Sequence, residues 1–187
     1  MPREVSPAEA AELLASARRV LVFGVSGGGK STLSRWIEQT YGLPHVSMDR
    51  DIRWLPGWQV RDRAEQRRRT ETYVVQDRWV MDGTTVSSFD IRVPRADLGI
   101  WIRVPRSQAL WQMMGRVLKS YGRVRFDMAE GCPEQLPDRA FLDWIWSFEA
   151  KQAPRICAAL EQYGPDLPVV TLRTRREIAA LKTARRT

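Results

Sequence analysis

Five short runs dominated by β-branched, aromatic and other apolar residues, at 19–23, 45–48, 78–83, 98–102 and 167–172, punctuate a chain that is otherwise polar or amphipathic. Runs of this length without strict polar alternation suit strands covered on both faces. The intervening stretches carry helical spacing. One helix is predicted over 7–18 behind Ser6-Pro7, a second over 32–39, and a markedly polar one over 61–76. From residue 107, Leu110, Met113, Met114, Val117, Leu118 and Tyr121 form an apolar stripe. A helix from Pro137-Asp138 carries Phe141, Trp144, Ile145 and Phe148, and a last one opens with Thr174 and Glu177 in capping-box spacing. Strands alternating with helices predict one α/β domain over 1–187: a five-stranded, doubly wound parallel sheet with helices on both faces.

Composition narrows this picture. At 187 residues and 43% hydrophobic content, the chain can bury a sizeable core. No apolar run approaches the ~20 residues of a membrane span, and 1–7 lack a secretory apolar segment, so a cytoplasmic protein with no membrane partner is expected. Cys132 and Cys157 have no ligand spacing and His45 is the only histidine, which argues against structural zinc and a disulfide framework. The net charge of +8 implies attraction to anions: a nucleotide, a nucleic acid, or merely a basic surface. Only four residues are lysine, at 30, 119, 151 and 182. Arginine suits bidentate phosphate binding, but a GC-rich genome gives the same bias. The run Arg67-Arg68-Arg69 reads either as a solvated helix face or as an anion-binding one. The arginine-rich end at 184–187 is expected to fray.

The chemistry concentrates after the first strand. There Gly24-Val25-Ser26-Gly27-Gly28-Gly29-Lys30-Ser31 fits the phosphate-binding pattern, with Thr32 opening the next helix. Glycines turn the chain tightly enough for its N–H groups to surround phosphates, and the helix start adds positive potential. Lys30 is expected to reach the outer phosphates and the Ser31 hydroxyl to join a Mg²⁺ shell.

Ligands of open parallel sheets bind beyond the carboxyl ends of the strands. Asp49 stands there after the second strand, in a segment (about 49–76) whose Asp51, Arg53, Trp54 and Trp58 suit a charged, aromatic substrate pocket. Asp82 ends the third strand, where an acid can order Mg²⁺ and its waters. Arg92 and Arg95 are candidate substrate-phosphate contacts, or else surface partners of Asp90 and Asp97. Arg116, Lys119 and Arg123 are spaced as one basic stripe leading into a covering loop. This arginine-bearing lid (about 116–137) brings Arg116, Arg123 and Arg125 toward the transferring phosphate. Arg173 and Arg175 are placed near the nucleotide base.

Together the loop at 24–31, Met48-Asp49, Trp54-Leu55-Pro56-Gly57-Trp58, Trp79-Val80-Met81-Asp82-Gly83, Arg92-Val93-Pro94-Arg95-Ala96-Asp97, Gly131-Cys132-Pro133-Glu134, Trp144-Ile145-Trp146 and 172–177 resemble adenylate-kinase-like P-loop proteins of the DNA topology modulation (FlaR-like) family. The resemblance spans nearly the whole chain. It implies the P-loop NTPase fold of nucleoside-monophosphate-kinase type, with Lys30 and Ser31 on ATP and Mg²⁺ and Asp82 near the metal. Two departures stand out. The stretch 49–54 is more charged than is usual for the family, and Gly83 is followed by Thr84-Thr85 in place of Phe-Pro-Arg, which argues against a standard AMP site.

The expected activity is ATP- and Mg²⁺-dependent phosphoryl transfer to a small polar acceptor such as a nucleotide or nucleoside. A nucleic-acid-binding P-loop ATPase and a non-catalytic nucleotide-binding regulator are the alternatives; no nucleic-acid-reading motif appears.

Overall fold

The structure is a computed structural model and describes residues 3–183, so the arginine-rich end lies outside the described residues. In chain order the elements are β1 (Arg3–Glu4), α1 (Pro7–Ser16), β2 (Arg19–Gly24), α2 (Lys30–Tyr41), β3 (His45–Ser47), a π-helical turn (Met48–Arg53), β4 (Trp54–Leu55), β5 (Gln59–Val60) and α3 (Arg63–Val74). Then follow β6 (Trp79–Asp82), α4 (Phe89–Arg92) between two 3₁₀ turns, β7 (Leu98–Ile102), α5 (Arg106–Ser120), α6 (Arg139–Lys151), α7 (Ala153–Tyr163), β8 (Pro168–Leu172) and α8 (Arg175–Thr183).

The described residues form a six-stranded sheet in the order β1-β8-β7-β2-β6-β3, parallel throughout. The sixth strand corrects the expected five. Arg3–Glu4 pairs with Pro168 and Val169 at the sheet edge, and two exposed polar residues give no apolar run to recognise. The central strands β2, β6 and β7 are buried almost throughout, as their unbroken apolar character requires.

Helices cover both faces. On one, α1 packs on β7, β8 and α8, whose Lys182 lies 5.4 Å over the ring of Trp36 in α2. On the other, α3, α4, α7, α6 and α5 contact one another in sequence, and Phe89 of α4 meets Phe23 of β2 edge to face at 5.5 Å. The break between α6 and α7 falls at Gln152, two residues before Pro154.

The stripe expected on α5 is narrower than its spacing implied. Met113 and Val117 are buried, whereas Leu118 and Tyr121 are exposed, because α6 covers only one side of the helix. The helix ends at Ser120, so Arg123 stands beyond it and does not continue the basic stripe. The Arg67-Arg68-Arg69 run is the solvated face: Arg67 pairs with Glu71 and Asp90 at 3.2 and 2.8 Å, and Arg68 and Arg69 pair with Glu65.

Candidate active site

The turn from β2 into α2 shows why glycine is needed at its start. Gly24 has φ +133°, and a Cβ there would stand 1.9 Å from the Ile102 carbonyl oxygen of neighbouring β7. Gly27 has φ +80°, and its Cβ would meet the Ala109 carbonyl of α5 at 2.2 Å. The loop is thus pressed between β7 and α5 and opens in the other direction. Thr84 fixes its base, accepting from the Gly24 N–H at 2.7 Å and donating to the Gly24 carbonyl at 2.6 Å.

That opening leads into a cavity of about 920 Å³. Ser26, Gly27, Gly29, Lys30, Ser31 and Thr32 line one end. Gly24 and Gly28 lie behind them; the Gly28 N–H is turned to the Val25 carbonyl at 3.3 Å. Lys30 Nζ donates to the Val25 carbonyl at 2.9 Å, folded back over its own loop. Partial burial lowers the ammonium's pKa, against the pull of Asp82 and Asp49.

Asp82, at the end of β6, is nearly enclosed. Its Oδ2 has no hydrogen-bond partner among the described residues, and His45 Nε2 stands 3.4 Å away from the neighbouring strand.

At the far end stand Asp49, Arg53, Trp54 and Trp58. The π-helical turn after β3 carries Asp49 beyond the strand end. Water reaches Asp49 through the cavity, yet the close-set walls desolvate its carboxyl and raise its pKa above the ordinary Asp range, with Arg53 opposing. Arg53 lies 4.8 Å over the Trp54 ring, and Trp54 meets Trp58 edge to face at 5.2 Å. The Trp58 indole N–H donates to the Pro133 carbonyl at 3.1 Å, and both tryptophans pack on Met128, Ala129 and Cys132. The β4–β5 hairpin is therefore fastened to the loop between α5 and α6.

That loop closes the cavity from above. Arg116 and Arg125 reach into it, as their positions suggested, but each meets a carboxylate the sequence reading did not single out. Arg125 Nε donates to Asp127 Oδ1 at 2.9 Å, and Arg125 also pairs with Glu134, which accepts from Arg116 Nε at 3.1 Å. Asp127 and Glu134 are both buried. Burial opposes ionisation of Asp127, but hydrogen bonds from Arg125, the Arg125 charge and a hydrogen bond from the Ser31 hydroxyl outweigh it and hold the carboxyl below the ordinary Asp value. The missed signal was Arg125-Phe126-Asp127 itself, a basic and an acidic side chain at alternate positions.

The remaining predicted residues stand elsewhere. Asp51 lies behind the cavity wall, where its carboxylate accepts from the Ser47 N–H and twice from Arg50, each at 2.8 Å. Arg92 is fully buried and donates to the Gly83 and Thr85 carbonyls at 3.0 and 2.8 Å; burial pushes its pKa down to about 9, against Asp82 and Asp90, so it stays charged at neutral pH. Its guanidinium shapes the loop after β6 and does not line the cavity. Arg95, Arg123, Arg173 and Arg175 are exposed and line no part of the cavity. Arg173 and Arg175 flank the Thr174 cap, whose hydroxyl accepts from the Glu177 N–H at 3.1 Å.

The oxygen donors at the loop end suit Mg²⁺. The Ser31 hydroxyl interacts with the Asp127 carboxylate, and Asp82 Oδ2 is unpartnered. No three His, Cys, Asp or Glu side chains converge as a protein-only cage among the described residues. An ion held here would complete its shell with waters and phosphate oxygens, as Mg²⁺ does beside nucleotides.

The chain matches no family model and no curated relative, so the resemblance to DNA topology modulation proteins has no counterpart there. Solved structures are more informative. A shikimate kinase from Acinetobacter baumannii in complex with shikimate superposes at a TM-score of 0.58, with 12% identity, covering 94% of this chain and 93% of that one. Shikimate kinase from Bacteroides thetaiotaomicron gives 0.54, with 15% identity and coverages of 91% and 97%. Deoxyadenosine kinase from M. mycoides with bound dCTP gives 0.47, with 13% identity and coverages of 90% and 98%. The chain shares the parallel-sheet α/β fold of these two shikimate kinase structures, and its own glycine loop follows β2.

Proposed function

We propose that this chain is a small-molecule kinase that moves the terminal phosphoryl group of ATP onto a polar acceptor. The observation that carries the reading is the continuity of the cavity. A phosphate-binding loop and an end made of Asp49, Arg53, Trp54 and Trp58 share about 920 Å³, at the upper part of the range for ligand pockets and large enough for two substrates side by side.

The residues divide the work. The loop N–H groups and Lys30 hold the outer phosphates, and Ser31, Asp82 and Asp127 hold Mg²⁺, which neutralises phosphate charge when bound. Arg53 offers a cationic contact to an acceptor carrying a carboxylate or phosphate, against the flat wall of Trp54. The acceptor hydroxyl oxygen attacks the terminal phosphorus, the bond to the ADP oxygen breaks, and the hydroxyl proton passes to Asp49, whose raised pKa suits a base. Where the acceptor is itself a phosphate, Asp49 orients its sugar or base and takes no proton. Arg116 and Arg125 lie over the cavity, where closure excludes water.

The test is ADP release measured against an acceptor panel of nucleosides, nucleoside monophosphates and small hydroxylated carboxylates. The reading expects stimulation by at least one class that carries both a hydroxyl and an anionic or aromatic group. ATP turnover unchanged by every acceptor but raised by DNA would replace it with a nucleic-acid-dependent ATPase.

A further inference from the structure

A cavity meant for a polyanion is expected to be positive, and the chain as a whole carries +8. The cavity does not follow the chain. Among the described residues its lining holds five carboxylates against four cationic side chains, a formal charge of −1. The imbalance is built in close to where phosphates arrive. Arg116 and Arg125, the cations best placed above the loop, are each bound to carboxylates at hydrogen-bond distance, so the group of Arg116, Arg125, Asp127 and Glu134 is neutral.

Asp127 is the member of that group that also meets the loop. Its carboxylate interacts with the Ser31 hydroxyl, while its backbone carbonyl accepts from Ser47 Oγ at 2.9 Å and the preceding carbonyl of Phe126 accepts from Arg50 at 2.9 Å. Two hydrogen bonds from the β3 side thus hold the segment down over the loop. The backbone that carries the carboxylate is thereby fixed over the loop, while the side chain keeps its own torsions. A bare nucleotide entering this position brings its phosphates against a buried, ionised carboxylate, which costs heavily in a partly desolvated site. A nucleotide carrying a divalent cation at Ser31 meets the same carboxylate with attraction.

Resting on the kinase reading above, we infer that Asp127 makes the site selective for the metal complex of the nucleotide over the free nucleotide. When the complex binds, the Asp127 carboxylate turns from Arg125 to the cation or its water shell. Arg125, released, joins Arg116 on the phosphate oxygens. Each of the two ion-pair partners exchanges one opposite charge for another, so no buried charge is left bare. Glu134 keeps Arg116 and Arg125 aligned and takes no part in the discrimination, since it faces the two guanidiniums alone.

Calorimetric titration with a non-hydrolysable ATP analogue, in excess Mg²⁺ and again in EDTA, reads the selectivity directly and needs no turnover. Wild-type protein is expected to bind the Mg²⁺ complex at least about tenfold more tightly, within the usual span of coupling between two ligands. Asp127→Asn should bind the free analogue more tightly than wild type and the Mg²⁺ complex more weakly, collapsing the ratio. Glu134→Gln should shift both affinities the same way and keep the ratio. A wild-type ratio near one, or a ratio unchanged in Asp127→Asn, overturns the inference and leaves the kinase reading standing. Binding of neither form by wild-type protein at millimolar concentration overturns both. Circular dichroism establishes that the variants are folded; if Asp127→Asn is not, the wild-type ratio and Asp127→Glu, which is expected to keep the preference for the Mg²⁺ complex, decide the matter.

Discussion

Lys30 illustrates how a residue's position in a motif and its surroundings jointly define its task. Its ammonium is partly desolvated, lies near Asp82 and Asp49, and folds back on the Val25 carbonyl, a neutral acceptor that a phosphate oxygen would outcompete. Lys30→Ala should lower ATP turnover by about 10²–10³-fold, the scale for removing one charge-stabilising donor, with an unchanged melting profile. Steady-state kinetics at saturating Mg²⁺ check this, and turnover like wild type would remove the loop from the chemistry. Asp49 gives a prediction with a definite sign in pH. Desolvation holds its carboxyl above the ordinary Asp range, so a role as proton acceptor requires acceptor phosphorylation to rise as pH climbs through that raised value and to fall below it. Asp49→Asn should flatten this acid limb and reduce acceptor phosphorylation more than acceptor-free hydrolysis; equal losses would place Asp49 outside the acceptor site. The place of both residues in the cavity wall was legible because each sits at a landmark, a glycine loop and a strand end. Asp127 and Glu134 were not: the Arg125-Phe126-Asp127 spacing offered a local hint, but the contacts of these carboxylates to Ser31 and Arg116 cross a loop that has no periodicity.

At the scale of elements, the parallel core could be read because buried strands must be apolar on both faces, and β2, β6 and β7 are. The cap of α8 was equally plain: Thr174 and Glu177 satisfy each other's backbone N–H groups, as their spacing required. What failed were elements whose reason lies in a neighbour. The strand Arg3–Glu4 exists only because β8 offers an edge. Arg92 looked like a substrate contact because arginine in a polar segment ordinarily faces water, yet α4 turns it inward onto the Gly83 and Thr85 carbonyls. Arg92→Ala should destabilise the protein by about 1–3 kcal/mol, the scale for the Gly83 carbonyl losing its donor, since the Thr85 carbonyl keeps the Ser88 N–H and hydroxyl. Urea unfolding measures this, and a loss below ~0.5 kcal/mol would contradict the structural role. Arg92→Lys should recover little, as one ammonium cannot reproduce the two-pronged geometry.

For the molecule as a whole, charge is arranged against the simple expectation. The chain carries +8, Arg67, Arg68 and Arg69 of α3 are paired with Glu65, Glu71 and Asp90, and the cavity lining is slightly acidic. No helix among the described residues is long and apolar enough to cross a membrane. The end of the cavity formed by Asp49, Arg53, Trp54 and Trp58 was the least legible part, because a hairpin, a π-helical turn and a distant loop assemble it, joined by Trp58 to Pro133. The central claim, that both ends of this cavity work on one transfer, is tested most directly by ³¹P NMR of wild-type protein with Mg·ATP and the acceptor selected from the panel. The account requires a new phosphoester resonance growing in step with ADP, with little inorganic phosphate. ADP and inorganic phosphate appearing in equal amounts, with no phosphoester, would contradict it.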